Sequence, residues 1–220
     1  MMKKIIKIFY VVLAVSFSVP SFAQPFSDEI AVFKKQDALN KPPANEILFV
    51  GSSSFRKWTD ISSYFPGYQI INRGFGGSTL PDVTRYASDI IFPYHPKQIV
   101  IYCGDNDLAS SDAITADSVF ERFKTLFELL RTNLPGVDVI YVSIKPSPSR
   151  IQLFEKMEKA NLLIKTYLSI NSHTTFVDVF HKMLNADGTI MPDIFLDDKL
   201  HMNAKGYAIW KSAIQPYLAK

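Results

Sequence analysis

Asp198 and His201 stand three residues apart. At that offset a carboxylate can reach back, in a tight turn, to an imidazole Nδ1–H. The contact fixes the tautomer and leaves Nε2 free as a base. The same spacing also suits a helix-capping Asp beside a surface His. Asp178 and His181 repeat it, but Asp178 falls within an expected strand, which leaves His181 less freely placed. His95 and His173 have no acid at a comparable offset after a strand. A base needs a proton to take, and Ser52, Ser53 and Ser54 follow Gly51. A hydroxyl is a poor nucleophile until a base deprotonates it. At a strand-to-helix turn it is exposed, and the next backbone N–H groups point the same way, a natural oxyanion site. A serine-rich turn or helix cap would look alike. Position 55 is Phe, so the Gly-x-Ser-x-Gly nucleophile elbow is missing.

Two loops gain meaning beside these residues. Asn72–Thr79 carries three of the nine glycines. It lacks the Gly-x-Gly-x-x-Gly spacing of a dinucleotide loop, but it would let a backbone N–H approach a substrate closely. Gly104-Asp105-Asn106-Asp107 fails as a calcium loop, because Ala109 and Ser110 follow where a ligand and a glycine are needed. It does offer the Asn106 amide as a donor to a developing negative charge.

Something must hold these segments together. From residue 46 the chain alternates apolar, β-rich runs with segments of helical period. The strand candidates are Ile47–Val50, Tyr68–Asn72, Gln98–Cys103, Val137–Ile144 and Thr175–Val179. Their near-continuous apolar character suits parallel strands covered on both faces. The clearest helix is Ala116–Leu134, where Val119, Phe120, Phe123, Leu126, Phe127 and Leu130 recur at steps of one, three and four. Others are expected at about Leu80–Phe92, Ile151–Asn171 and Asn203–Leu218. Residues 24–45 read as a surface arm or lead-in helix. The alternation predicts an α/β fold, a doubly wound parallel sheet with helices on both faces. In such sheets ligands sit beyond the carboxyl ends of the strands. Ser52–Ser54, Gly74–Thr79, Gly104–Asp107, Lys145–Ser149 and Asp197–His201 all fall there.

The order Ser, Gly, Asn, Asp-x-x-His along such a chain resembles the SGNH (GDSL-type) hydrolases, over about residues 46–215. The family's Gly-Asp-Ser block reads Gly51-Ser52-Ser53 here. The resemblance therefore puts the nucleophile on Ser53, with Ser52 in place of the usual Asp. It puts oxyanion donors on the Ser53 and Gly77 N–H groups and on Asn106. It pairs Asp198 with His201 and continues into Asn203 and Gly206-Tyr207. It implies a three-layer α/β/α sandwich with a five-stranded sheet in flavodoxin-like order. The implied activity is a serine esterase with a Ser-His-Asp triad and no metal or organic cofactor.

The 220 residues are 47% hydrophobic and 20% charged, an ordinary globular composition that excludes collagen-like and disordered classes. Cys103 is the lone cysteine, so no disulfide framework exists; its apolar neighbours suggest burial. Residues 1–23 read as a signal peptide. A basic start precedes an apolar run from Ile8 to Val19, and Ser21 and Ala23 are the small residues before a cleavage site. That run is short for a membrane span. Cleavage would leave a single domain, 24–220, periplasmic or secreted. Without Lys3, Lys4 and Lys7 the charges balance at 21 against 21, which gives no electrostatic case for nucleic acid or an anionic membrane. The expected substrate is a small acyl ester, acetyl on a carbohydrate first. A lysophospholipase or thioesterase for longer chains, or a non-catalytic glycan binder, is the alternative. Lys145 and Arg150 could hold an anionic substrate group or lie in a solvated loop. Arg56 and Trp58 could line the pocket, and Trp58 suits the core equally well.

Overall fold

The computed structural model describes residues 24–220, so the signal reading of residues 1–23 lies outside the described residues. Five strands form the sheet: β1 Ile47–Gly51, β2 Ile70–Gly74, β3 Gln98–Tyr102, β4 Asp138–Val142 and β5 Thr174–Val177. All pairs are parallel, in the order β2-β1-β3-β4-β5. This is the expected flavodoxin-like arrangement.

Strand residues alternate between two apolar layers, because successive side chains leave a strand on opposite faces. Leu48, Val50, Ile99, Ile101, Val139 and Tyr141 enter one core with Val83, Phe123 and Ile164. Ile47, Phe49, Val100, Tyr102, Ile140 and Val142 enter the other, with Trp58, Tyr207 and Trp210. The first core is roofed by the helices Leu80–Arg85, Ala116–Asn133 and Phe154–Ser169, the second by Ser53–Arg56, Ile61–Tyr64 and Ala204–Ile214. The sandwich therefore has three layers.

Boundaries moved where tertiary contacts overrule local pattern. β2 runs to Gly74 because the polar Arg73 is satisfied inside the fold by Asp37 and Tyr94. The expected helix Leu80–Phe92 breaks at Tyr86, whose hydroxyl donates to the Pro25 carbonyl. The expected Ile151–Asn171 helix starts only at Phe154, behind a 3₁₀ segment, Pro148–Leu153, in which Arg150 leaves helical geometry. The arm is a helix, Ser27–Leu39, and it buries Ile30. Among the described residues no helix is long and apolar enough to cross a membrane.

Candidate active site

The site lies on the carboxyl edge of the sheet. β1 ends at Gly51, whose φ is +140°; a Cβ there would lie 1.9 Å from the Tyr102 carbonyl oxygen of β3. Only glycine lets the chain turn so close to its neighbour. The Ser52 N–H then donates to that carbonyl at 3.0 Å, and the Ser52 carbonyl accepts from Phe55 and Arg56. Backbone bonds thus close the turn, and the Ser52 hydroxyl is buried without a hydrogen-bond partner among the described residues. Ser53 begins the helix Ser53–Arg56, where a backbone N–H has no acceptor in its own helix. Asn72 ties this helix to β2: its amide donates to the Phe55 carbonyl and accepts from Gly74. From the other side Tyr207 donates to the Ser54 carbonyl at 2.8 Å.

His201 Nε2 lies 3.0 Å from Ser53 Oγ, and Nδ1 lies 2.6 Å from Asp198 Oδ2. A carboxylate only accepts, so Nδ1 carries the proton, and bare Nε2 accepts from the serine hydroxyl. The second Asp198 oxygen accepts from the backbone of Leu200 and His201. Burial opposes the charge on Asp198, but these donors outweigh it and hold the carboxyl well below the usual range. A short loop supplies this geometry. Leu196 donates to the His201 carbonyl, Phe195 bridges Met202, and Lys199 turns with φ +56°. Asn203 caps the helix Ala204–Ile214 and donates to the Asp193 and Phe195 carbonyls, fastening the loop.

The loop that carries the expected Gly77 donor is fastened to the end of β1. Phe75 N–H and Ser78 Oγ both donate to the Gly51 carbonyl, which sets the glycine loop against the nucleophile turn. A Cβ on Gly77 would lie 3.8 Å from Asn106 Nδ2, so the glycine loop runs alongside the Asn106 amide. That amide donates to the Ser78 carbonyl at 3.1 Å. Asp107 braces the loop as well: it accepts from Leu80 N–H and pairs with Arg122. Burial pushes the Asp107 carboxyl up to about 6, although Arg122 and the Leu80 N–H pull against it. The structure thus brings Ser53, His201 and Asp198 into one hydrogen-bonded chain, with Gly77 on the adjoining loop and Asn106, in the short helix Asp105–Ala109, bonded to that loop.

Other expectations need correction. Lys145 and Arg150 do not lie in a solvated loop. Lys145 is 1% exposed and faces Asp105 at 3.6 Å, out of reach of a substrate. Burial pulls its ammonium below the ordinary lysine range, and Asp105 pulls back. Trp58 is core, stacked on Tyr207, and Arg56 pairs with Glu29 at 2.8 Å. His173 does have an acid, Asp138 at 3.0 Å, reached across space. Cys103 is buried, as expected. Glu29, which also accepts from the Gly76 N–H, is invisible to local pattern, since nothing nearby marks an acid 47 residues away as a partner. Among the described residues no three His, Cys, Asp or Glu side chains cluster as a metal site.

A doubly wound sheet with a serine, an imidazole and a carboxylate in line at its carboxyl edge has the architecture of the SGNH-type hydrolases. The chain belongs to the GDSL-like lipase/acylhydrolase family, whose model matches residues 49–209, and it is a carboxylic ester hydrolase. It is 26% identical to platelet-activating factor acetylhydrolase IB subunit alpha1 of Pongo abelii, over 78% of this chain and 74% of that protein. A GDSL-like lipase from Bacteroides thetaiotaomicron VPI-5482 superposes with a TM-score of 0.71 at 22% identity, covering 85% of this chain and 95% of that one. A variant acetyl-xylooligosaccharide esterase from Geobacillus Stearmophilus gives 0.63 at 15% identity, covering 81% and 98%.

Proposed function

We propose that the protein is an exported serine esterase that hydrolyses a small acyl ester, acetyl on a carbohydrate first among them. The observation that carries this reading is the unbroken line Asp198–His201–Ser53. His201 Nε2 takes the Ser53 proton as Oγ attacks the ester carbonyl. Asp198 holds the ring and stabilises its charged form. The oxyanion is received by the Ser53 and Gly77 N–H groups and by Asn106 Nδ2. His201 passes its proton to the leaving alcohol, and water repeats the cycle on the acyl-enzyme. The acetyl preference draws support from similar proteins described as acting on acetyl groups.

A longer acyl chain is the second reading, and a cleft favours it. This cleft, of about 800 Å³, is lined by Pro148, Ile151, Phe154, Ile190 and Pro192. Pro148 of its wall is followed by Ser149, whose N–H donates to the Lys199 carbonyl in the Asp198–His201 loop. Turnover of 4-nitrophenyl acetate and octanoate by the purified protein tests both. Ser53→Ala is expected to lower kcat/KM by about 10⁵ or more; equal turnover by variant and parent would end the serine mechanism. Acetate preferred over octanoate supports the first reading, the reverse the second. Export predicts that protein recovered from the periplasm or medium begins at Gln24; an intact Met1 there would refute cleavage.

A further inference from the structure

The Asn106 side chain is pinned at both ends. Its Nδ2 donates to the Ser78 carbonyl at 3.1 Å, and its Oδ1 accepts from an Arg150 guanidinium nitrogen at 2.9 Å. Arginine is donor-only and a backbone carbonyl is acceptor-only. Rotating the amide by half a turn would set NH₂ against a guanidinium and oxygen against oxygen, so two contacts enforce one orientation. One Nδ2 proton goes to Ser78. The other has no acceptor among the described residues.

Arg150 is held in turn. Its second terminal nitrogen lies 3.1 Å from Asp105 Oδ2, a charge pair that makes no hydrogen bond, and the same oxygen faces Lys145 at 3.6 Å. Asp105 Oδ1 accepts the Asn106 backbone N–H at 3.0 Å. The backbone serves this arrangement. Arg150 breaks helical geometry (φ −127°, ψ 29°) within Pro148–Leu153 and delays the following helix. Lys145 and Arg150 bring two positive charges to one buried Asp105 carboxylate. Burying the Lys145 charge is costly unless it is paired, and Asp105 supplies the counter-charge for both cations.

We propose that Arg150 is a positioning residue for the oxyanion site: it locks the Asn106 amide so that Nδ2–H faces the developing negative charge. The proposal rests on the serine-esterase reading above. Losing an oxyanion donor outright costs about 10²–10³ in kcat, and a donor free to rotate is only partly lost. Arg150→Met in the full chain is therefore expected to lower kcat for 4-nitrophenyl acetate by about 10–100-fold. KM should change by less than about threefold, since the amide acts on the transition state rather than on bound ester.

A double-mutant cycle separates this role from general support of the fold. In an Asn106→Ala background, Arg150→Met should cost less than about twofold, because no amide is left to orient. An equal loss in both backgrounds, or an unchanged kcat in the single variant, overturns the proposal. So does a rise confined to KM. If Arg150→Met does not fold, Arg150→Lys, which keeps the charge against Asp105 but loses the fork, takes its place. It is expected to lose about tenfold in kcat, again only when Asn106 is present. Failure of the esterase reading looks different, since wild-type turnover would then survive Ser53→Ala.

Discussion

The same local device is built twice in this protein. In Asp198–His201 the ring nitrogen meets the carboxylate at 2.6 Å, and the His backbone N–H donates to the other oxygen at 2.8 Å. In Asp178–His181 the corresponding distances are 2.7 and 3.1 Å. Both pairs follow the sheet, and both set the tautomer that frees Nε2. What differs lies beyond the motif. His201 is 15% exposed and its Nε2 meets Ser53, whereas His181 is 62% exposed and its Nε2 is 3.7 Å from Glu158. Three residues of sequence are enough to make an oriented imidazole. A catalytic one needs distant parts of the chain to present a hydroxyl to it and donors beside it.

The largest expected effect separates the pairs directly. Asp198→Asn should lower kcat by about 10⁴, because the amide no longer holds the productive tautomer. Asp178→Asn should leave esterase turnover within about twofold. Equal effects in the two variants, measured with 4-nitrophenyl acetate, would mean that the site has been assigned to the wrong histidine. Neither substitution removes core packing, and the Asp198 side chain is about half exposed, so both variants should remain folded, although Asp198→Asn gives up the charge that its donors favour.

How much of this could be read from sequence follows the same division. Asp-x-x-His was legible because its bonds span three residues. The sheet was legible because most of its strands are compact apolar runs, and the helix Ala116–Asn133 because its period is regular over five turns. Strand β2 was misplaced by two residues: Arg73 looks like a strand end until Asp37, 36 residues earlier, supplies its partner. Arg150 and Lys145 were misread for a related reason. A cation among prolines resembles a solvated loop, and nothing nearby announces that Asp105 waits some 40 residues away. Long-range polar partners leave no period in a sequence, and they hold the half of the site where the oxyanion donors are proposed.

Glu29 gives a sharper test of those distant supports, with a smaller effect. Its carboxylate joins the Gly76 N–H at 3.1 Å to Arg56 Nε at 2.8 Å. The N-terminal helix therefore clasps both the glycine loop and the end of the nucleophile helix. Phe26 adds an edge contact to Phe75 at 5.3 Å. Glu29→Ala should lower kcat by about tenfold through small misplacement of the Gly77 N–H. It should cost less than about 1 kcal/mol of stability, as its ion pair is well exposed on the Arg56 side. A full-rate variant would show that the glycine loop keeps its place without the arm, and the contrast between local and distant positioning would then rest on Arg150 alone.

The smallest effect concerns Asp107, which supports the same loop from below and has no part in either histidine pair. Burial raises its folded pKa to about 6, against about 4 in an unfolded chain. The folded protein thus holds this proton more tightly. The stability Asp107 contributes is present in full below about pH 4 and is lost as pH rises towards 6. Asp107→Asn cannot titrate, although it loses the Arg122 pair at every pH. The melting temperature of the wild type relative to the variant should therefore fall by a few degrees between about pH 4 and 6, and level off above. A flat difference would show that Arg122 and the Leu80 N–H cancel the cost of burial. Asp107 would then resemble Asp198, a carboxylate whose donors win, and the line between the two halves of the site would lie in the distance of their partners alone, with no difference in how each carries its charge.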